Sequence, residues 1–66
     1  MFRYEIGANI LIKQYANQSH DPIQVKILGK APNIIKAEIL SDGWFAKGTI
    51  RILSGGDWYS IGRIKV

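Results

Sequence analysis

The sequence predicts an all-β fold, a small five-stranded antiparallel barrel, and three observations point to it. Apolar and polar residues alternate through the C-terminal half, the period of strands that bury one face. The alternating runs are separated by Ser41-Asp42-Gly43 and by Ser54-Gly55-Gly56-Asp57, both of turn-forming composition. Trp44-Phe45-Ala46, followed by Gly48, Ile50, Arg51 and Ile52, returns as Trp58-Tyr59-Ser60, followed by Gly62, Ile64, Lys65 and Val66, a repeat offset by fourteen residues.

In chain order, the first strand runs from Tyr4 to Lys13 and bends at Gly7. Gln14 to Asp21 is polar and aperiodic, the one long loop. Pro22 to Lys30 alternates again and is stopped by Ala31-Pro32-Asn33. Strands over 34–40, 44–53 and 57–66 complete the set. A short helix over 33–42 is the alternative for the third element, with Asn33 as N-cap and Gly43 past its end. Asp42-Gly43 is a two-residue hairpin signal. As a turn it sets Ile39 opposite Ala46, Ala37 opposite Gly48 and Ile35 opposite Ile50, and pairs Glu38 with Lys47 on the other face. An odd-length second hairpin loop keeps Trp58, Ser60, Gly62, Ile64 and Val66 on the side of Trp44, Ala46, Gly48, Ile50 and Ile52. That side is the expected core face. Ala37, Gly48 and Gly62 then form a row without bulk that lets the sheet curl, and closure removes exposed edges.

The opening Tyr4-Glu5-Ile6-Gly7-Ala8-Asn9-Ile10-Leu11-Ile12 and the Asp42-Gly43-Trp44-Phe45 turn are similar to the corresponding pieces of SH3-like barrels. The resemblance is one of fold, and it implies a small closed barrel without implying a function.

A chain of 66 residues makes one domain, spanning 1–66, and folding removes only about 60% of its surface from water. With no Cys, neither a disulfide nor a Cys-based metal site supplements the core. Arg3 and Glu5 interrupt the opening segment, which lacks the uncharged core of a secretory signal. No apolar run approaches membrane-spanning length, so the expectation is a cytoplasmic protein that does not enter a membrane. Asn17-Gln18-Ser19 matches a glycosylation acceptor, which carries no weight without secretion. The formal charge of +4 and a pI near 9.7 favour an anionic partner.

Alternation turns Phe45, Lys47, Thr49 and Arg51 outward on one strand and Tyr59, Ile61, Arg63 and Lys65 outward on the next. Lys36 and Glu38 lie beside them. Exposed rings interleaved with Lys and Arg suit nucleic acid, single-stranded or RNA above all, or nucleotides, because bases stack on rings while cations neutralise phosphate. The expected site is therefore Phe45, Lys47, Arg51, Tyr59, Arg63 and Lys65, with Lys26 and Lys36 as flanking phosphate contacts. The same composition suits an acidic protein surface, which makes a small interaction or inhibitor protein of the phage type, or an assembly subunit, the alternative. A homo-oligomer joined through strand edges or through Leu40, Leu53 and Ile61 is the third expectation.

Catalysis is not expected. Ser19-His20-Asp21 holds all three triad residue types, but consecutive side chains diverge and cannot relay a proton. Gly43-Trp44-Phe45-Ala46-Lys47-Gly48-Thr49 lacks the Lys before Thr of a phosphate loop and carries bulky rings in its middle. His20 is the only histidine, so neither a metal nor another cofactor is expected. Paired carboxylates at a useful spacing are also missing.

Overall fold

A computed structural model describes residues 3–64. They form one five-stranded antiparallel sheet: β1 Asn9–Gln14, β2 Ile23–Ala31, β3 Ile34–Ile39, β4 Ile50–Ser54 and β5 Trp58–Arg63, in the order β4-β3-β2-β1-β5. No helix occurs among the described residues, and none is long and apolar enough to cross a membrane. The 33–42 alternative is thus settled as strand. Asn33 takes φ 63° and, after Pro32 with its fixed negative φ, closes a two-residue turn in which Ala31 pairs Ile34.

The core lies on one face, where Ile10 and Ile12, Ile23, Val25 and Ile27, and Ile35, Ala37 and Ile39 alternate inward along β1, β2 and β3. Leu53 and Trp58 add the contributions of β4 and β5. Each buried aliphatic contributes roughly 1.5–3 kcal/mol on transfer scales. Leu28 is an extra residue in β2, since Ile27 pairs Ala37 while Gly29 pairs Lys36. Ile61 is an extra residue in β5, since Leu11 pairs Gly62 while Ile12 pairs Ser60. Both irregularities bend their strands.

Four expectations are corrected. Tyr4 to Gly7 is not strand: Ala8 N donates to Glu5 O across a turn (3.1 Å), and Gly7 takes φ 95°. Asp42-Gly43 is not a two-residue turn, because residues 40–49 form an irregular connection and β4 begins only at Ile50. The connection is fixed from within: Asp42 Oδ1 accepts the Lys47 amide (2.9 Å), and the Thr49 hydroxyl donates to Ala46 O (2.7 Å). At its end Gly48 (φ 89°) and Thr49 both oppose Ile39, with Gly48 N donating to Ile39 O and Ile39 N to Thr49 O, each at 2.8 Å. That glycine bulge moves the register by an odd number of residues, and an odd slip exchanges the faces of a strand. Ile35 consequently pairs Leu53 and Ala37 pairs Arg51. Leu53 is buried, whereas Ile50 and Ile52, expected in the core, are 55% and 64% exposed. Glu38 faces Ile50 and Lys26 across the strands, not Lys47.

The third correction concerns the two repeats, whose strands do not pair. β4 pairs only β3 and β5 pairs only β1, so they occupy opposite edges of the sheet, which is not closed. Between them the chain turns a corner through Gly55-Gly56-Asp57, where Gly55 N donates to Asn33 O (2.7 Å) and Asp57 N to Ser54 O (3.1 Å). Gly55 lies so close to Asn33 that a Cβ there would overlap the Asn33 side chain. Fourth, Ala37, Gly48 and Gly62 do not form a row: their partners are Arg51 in β4, Ile39 at the bulge and Leu11 in β1. The last core-face position of the repeat, Val66, lies outside the described residues.

Candidate binding surfaces

The expected site residues that the structure describes divide among four places. Phe45 and Arg51 meet at the β4 edge, where the Arg51 guanidinium carbon lies 4.4 Å from the centroid of the Phe45 ring. Phe45 packs inward against the core and meets Trp58 at 5.6 Å between centroids. Arg63 sits at the opposite edge, over the Tyr4 ring at 5.1 Å, and forms a two-pronged pair with Glu5 at 2.7 and 3.2 Å. The Arg63 hydrogen bonds, reinforced by a backbone hydrogen bond, hold the Glu5 carboxyl down at about 2 from an ordinary 4.5. Glu5 in turn raises Arg63. Both arginines thus stand on the core-side rim of an edge strand, each covering a ring that covers the core.

Tyr59, Lys26 and Lys36 lie on the outer face of the sheet. Tyr59 is opposite Lys13, Lys26 lies between Asn9 and Glu38, and Lys36 is opposite Ile52. Lys47 is exposed in the 40–49 connection, and Lys65 lies outside the described residues. The single basic and aromatic face expected from alternation is therefore not assembled, because it required β4 and β5 to be neighbours.

Two other surfaces are formed. On the outer side of β4, Ile50 and Ile52 make an apolar ridge with Ile34 nearby on β3 (40% exposed), flanked by Lys36 and Glu38. β4 is an edge strand. The hydrogen bonds of Ile39 with Thr49 and of Asn33 with Gly55 set the phase of the ladder. By that phase residues 51 and 53 bond to β3, and the backbone groups of Ile50 and Ile52 point off the sheet.

The second surface is an aromatic run where the long loop, residues 15–22, meets the 40–49 connection. Buried Trp58 is its centre, touched by Phe45 and by His20 (6.2 Å between centroids). His20 continues to Trp44 (5.4 Å), which is 50% exposed. On the other side of the sheet, the Tyr15 and Tyr59 rings meet at 4.7 Å between centroids, tilted by 40°, and the Tyr59 hydroxyl donates to Gln18 Oε1 (3.1 Å). The loop is internally tied as well: Asn17 Oδ1 accepts the Ser19 amide (3.1 Å) and hydroxyl (2.6 Å), and Lys13 Nζ donates to Gln18 O (3.0 Å). A cleft of about 250 Å³ opens between residues 20–23 and 41–44.

Sequence reasoning missed Ile50, Ile52, Trp44 and His20 as surface residues of interest. One signal was available: Gly43 and Gly48 bracket Trp44 to Lys47, and a glycine inside an alternating run marks a bulge or break as readily as a strand. Among the described residues no cluster of three or more His, Cys, Asp or Glu is placed to hold a metal ion. Comparison with protein-family models, with curated proteins and with solved structures gives no match, so the functional conclusion rests on the geometry of these surfaces.

Proposed function

We propose that the chain is a small non-catalytic binding module that docks an extended segment of a protein partner along the free edge of β4. What carries this is the coincidence, at Ile50 and Ile52, of exposed aliphatic side chains with backbone groups that point off the sheet. An added strand recovers main-chain hydrogen bonds, and alternate side chains supply selectivity. A monomeric sheet protects such an edge with charge, Pro or a covering loop, whereas the outer side of this one carries isoleucine, and the one charge of β4, Arg51, is turned to the core side over Phe45. On the outer face Lys36 stands opposite Ile52 and Glu38 opposite Ile50, which favours an apolar partner segment with an acidic residue beside Ile52 and a basic one beside Ile50. The β1 to β4 meander, the return of β5 to β1 and the corner at residues 55–57 support an SH3-like barrel as the finer description of the fold.

A second proposal, binding of single-stranded nucleic acid, is favoured by the paired rings of Tyr15 and Tyr59 beside Lys13, with Lys26 on the same outer face. Affinity capture from the native host, with and without nuclease, separates the two. Strand addition predicts a protein retained after nuclease treatment and lost with Ile52→Lys, a substitution that adds charge at an exposed position. Nucleic-acid binding predicts that nuclease removes the captured material, that Ile52→Lys changes little, and that affinity for a labelled oligonucleotide falls steeply with salt. A second copy of the chain on the same edge would appear in light scattering as a dimer abolished by the same substitution. Leu53, at 2% exposure, is not available to join copies.

A further inference from the structure

We propose that the cleft between residues 20–23 and 41–44 is a binding site for a guanidinium group, presented by an arginine side chain. Asp21 and Asp42 stand on its two walls. These are two of only five acids in a chain of net charge +4, and among the described residues the one salt bridge is Arg63 with Glu5. Neither wall carboxylate has a cationic partner there. Asp42 is held in place, since its Oδ1 accepts the Lys47 amide at 2.9 Å, while its other oxygen takes no hydrogen bond from the described residues.

The third wall is the half-exposed ring of Trp44, and an indole face is the best of the aromatic surfaces for a cation. Behind it lies His20, whose Nδ1 is 2.7 Å from the carbonyl oxygen of Asp21 and so carries the proton. Its Nε2 is closed off from solvent, so the ring backs the cleft without offering a ligand there an acceptor.

The occupant that answers the two carboxylates and the exposed ring is cationic, planar and rich in N–H groups. A guanidinium offers five N–H donors in a flat fork that stacks on a ring while bridging carboxylates. An ammonium lacks the plane, and an uncharged urea group lacks the charge. The volume of about 250 Å³ admits one such side chain. The inference is independent of the β4 edge, from which the cleft shares no residue.

Amide and indole NMR spectra of the full chain, titrated with N-acetyl-arginine methylamide, test it. The Trp44 indole N–H and the backbone amides of residues 20, 21 and 41–44 should shift and saturate. The citrulline analogue, of the same shape without the charge, should bind at least tenfold more weakly, and the lysine analogue should fall between them. Asp42→Asn and Asp21→Asn should each weaken the arginine analogue about five- to tenfold, the loss of one charge-assisted contact at a partly open site, with circular dichroism unchanged. Trp44→Ala should remove the saturable shift and Trp44→Phe should restore part of it. Free arginine binding as well as the capped form would assign the site to a small metabolite instead of a peptide. Equal response to arginine and citrulline analogues, or undiminished binding in both aspartate variants, would overturn the proposal. Ile52→Lys should leave every one of these shifts intact, so failure of strand addition and failure of this site are separable.

Discussion

Trp44-Phe45 and Trp58-Tyr59 open two copies of one sequence pattern, yet they end in different structures. Trp58 is the first residue of β5 and is 6% exposed, while Trp44 lies in an irregular connection and is 50% exposed. Their followers reverse as well: Phe45 turns in against the core, and Tyr59 turns out beside Lys13. The difference is made by what precedes each copy. Trp58 follows the tight corner at residues 55–57, beyond which β1 offers Gln14 as a partner. Trp44 follows Asp42, whose carboxylate captures the Lys47 amide and folds the segment away from β3. Local alternation states which residues share a side, but neighbouring turns state whether the strand forms and which side faces in.

Replacing each tryptophan by alanine breaks this comparison most sharply. Trp58→Ala should destabilise the domain by about 3–5 kcal/mol, the usual loss for emptying a buried aromatic site, a large share of a small domain's margin. Trp44→Ala should stay within about 1 kcal/mol, as an exposed side chain does. Urea unfolding of both variants measures the gap, and equal losses would mean that the copies are structurally alike after all.

The next contrast lies within β4. Leu53→Ala should cost about 2–5 kcal/mol because it opens a cavity, whereas Ile52→Ala, at a 64% exposed position, should change stability by about 0.5 kcal/mol or less. The opposite ranking is what a two-residue turn at Asp42-Gly43 requires, so this pair of substitutions reads the face of β4 directly.

Smallest is the effect of the ion pair that only the β5 copy possesses. Glu5 is depressed from 4.5 to about 2 by Arg63. A depressed carboxylate contributes stability that is present above its unfolded value and is lost as pH falls through the folded one. The melting temperature of the parent should therefore exceed that of Glu5→Gln slightly at neutral pH, and the gap should close between pH 4.5 and about 2. Both side chains are more than half exposed, so added salt should shrink the gap at every pH. A gap that persists at the acid end, or one indifferent to salt, would assign it to something other than the pair.

The strand content was legible because it depends on nearest-neighbour alternation. The third element is β3, and Ile35, Ala37, Ile39 and Trp58 are buried as their spacing implies. The placement of β4 was not legible. It turns on one glycine bulge at Gly48 and on side-chain to backbone bonds of Asp42 and Thr49, contacts that the sequence permits without announcing. Pairing of β5 with β1 in preference to β4 is likewise a choice between two compatible edges, decided by the corner at Gly55 and Asn33. The expected site inherited both errors, since its residues were grouped by a face that β4 and β5 do not share.

The attachment of β5 has a consequence for motion. β5 is paired on one side only, to a strand far away in sequence, so closing it is entropically the most demanding step of the sheet. It is then the natural first unit to open from the native state. When β5 leaves, Trp58 goes with it, and His20 and Phe45 lose the ring that both touch. The walls of the cleft and the lid on the β4 side of the core therefore rest on a strand that neither belongs to. A ligand that holds the cleft together also holds β5 in place, and slowed hydrogen exchange at Tyr59 and Gly62, the positions where the ladder phase bonds β5 to β1, is the distant sign by which occupancy of the cleft announces itself.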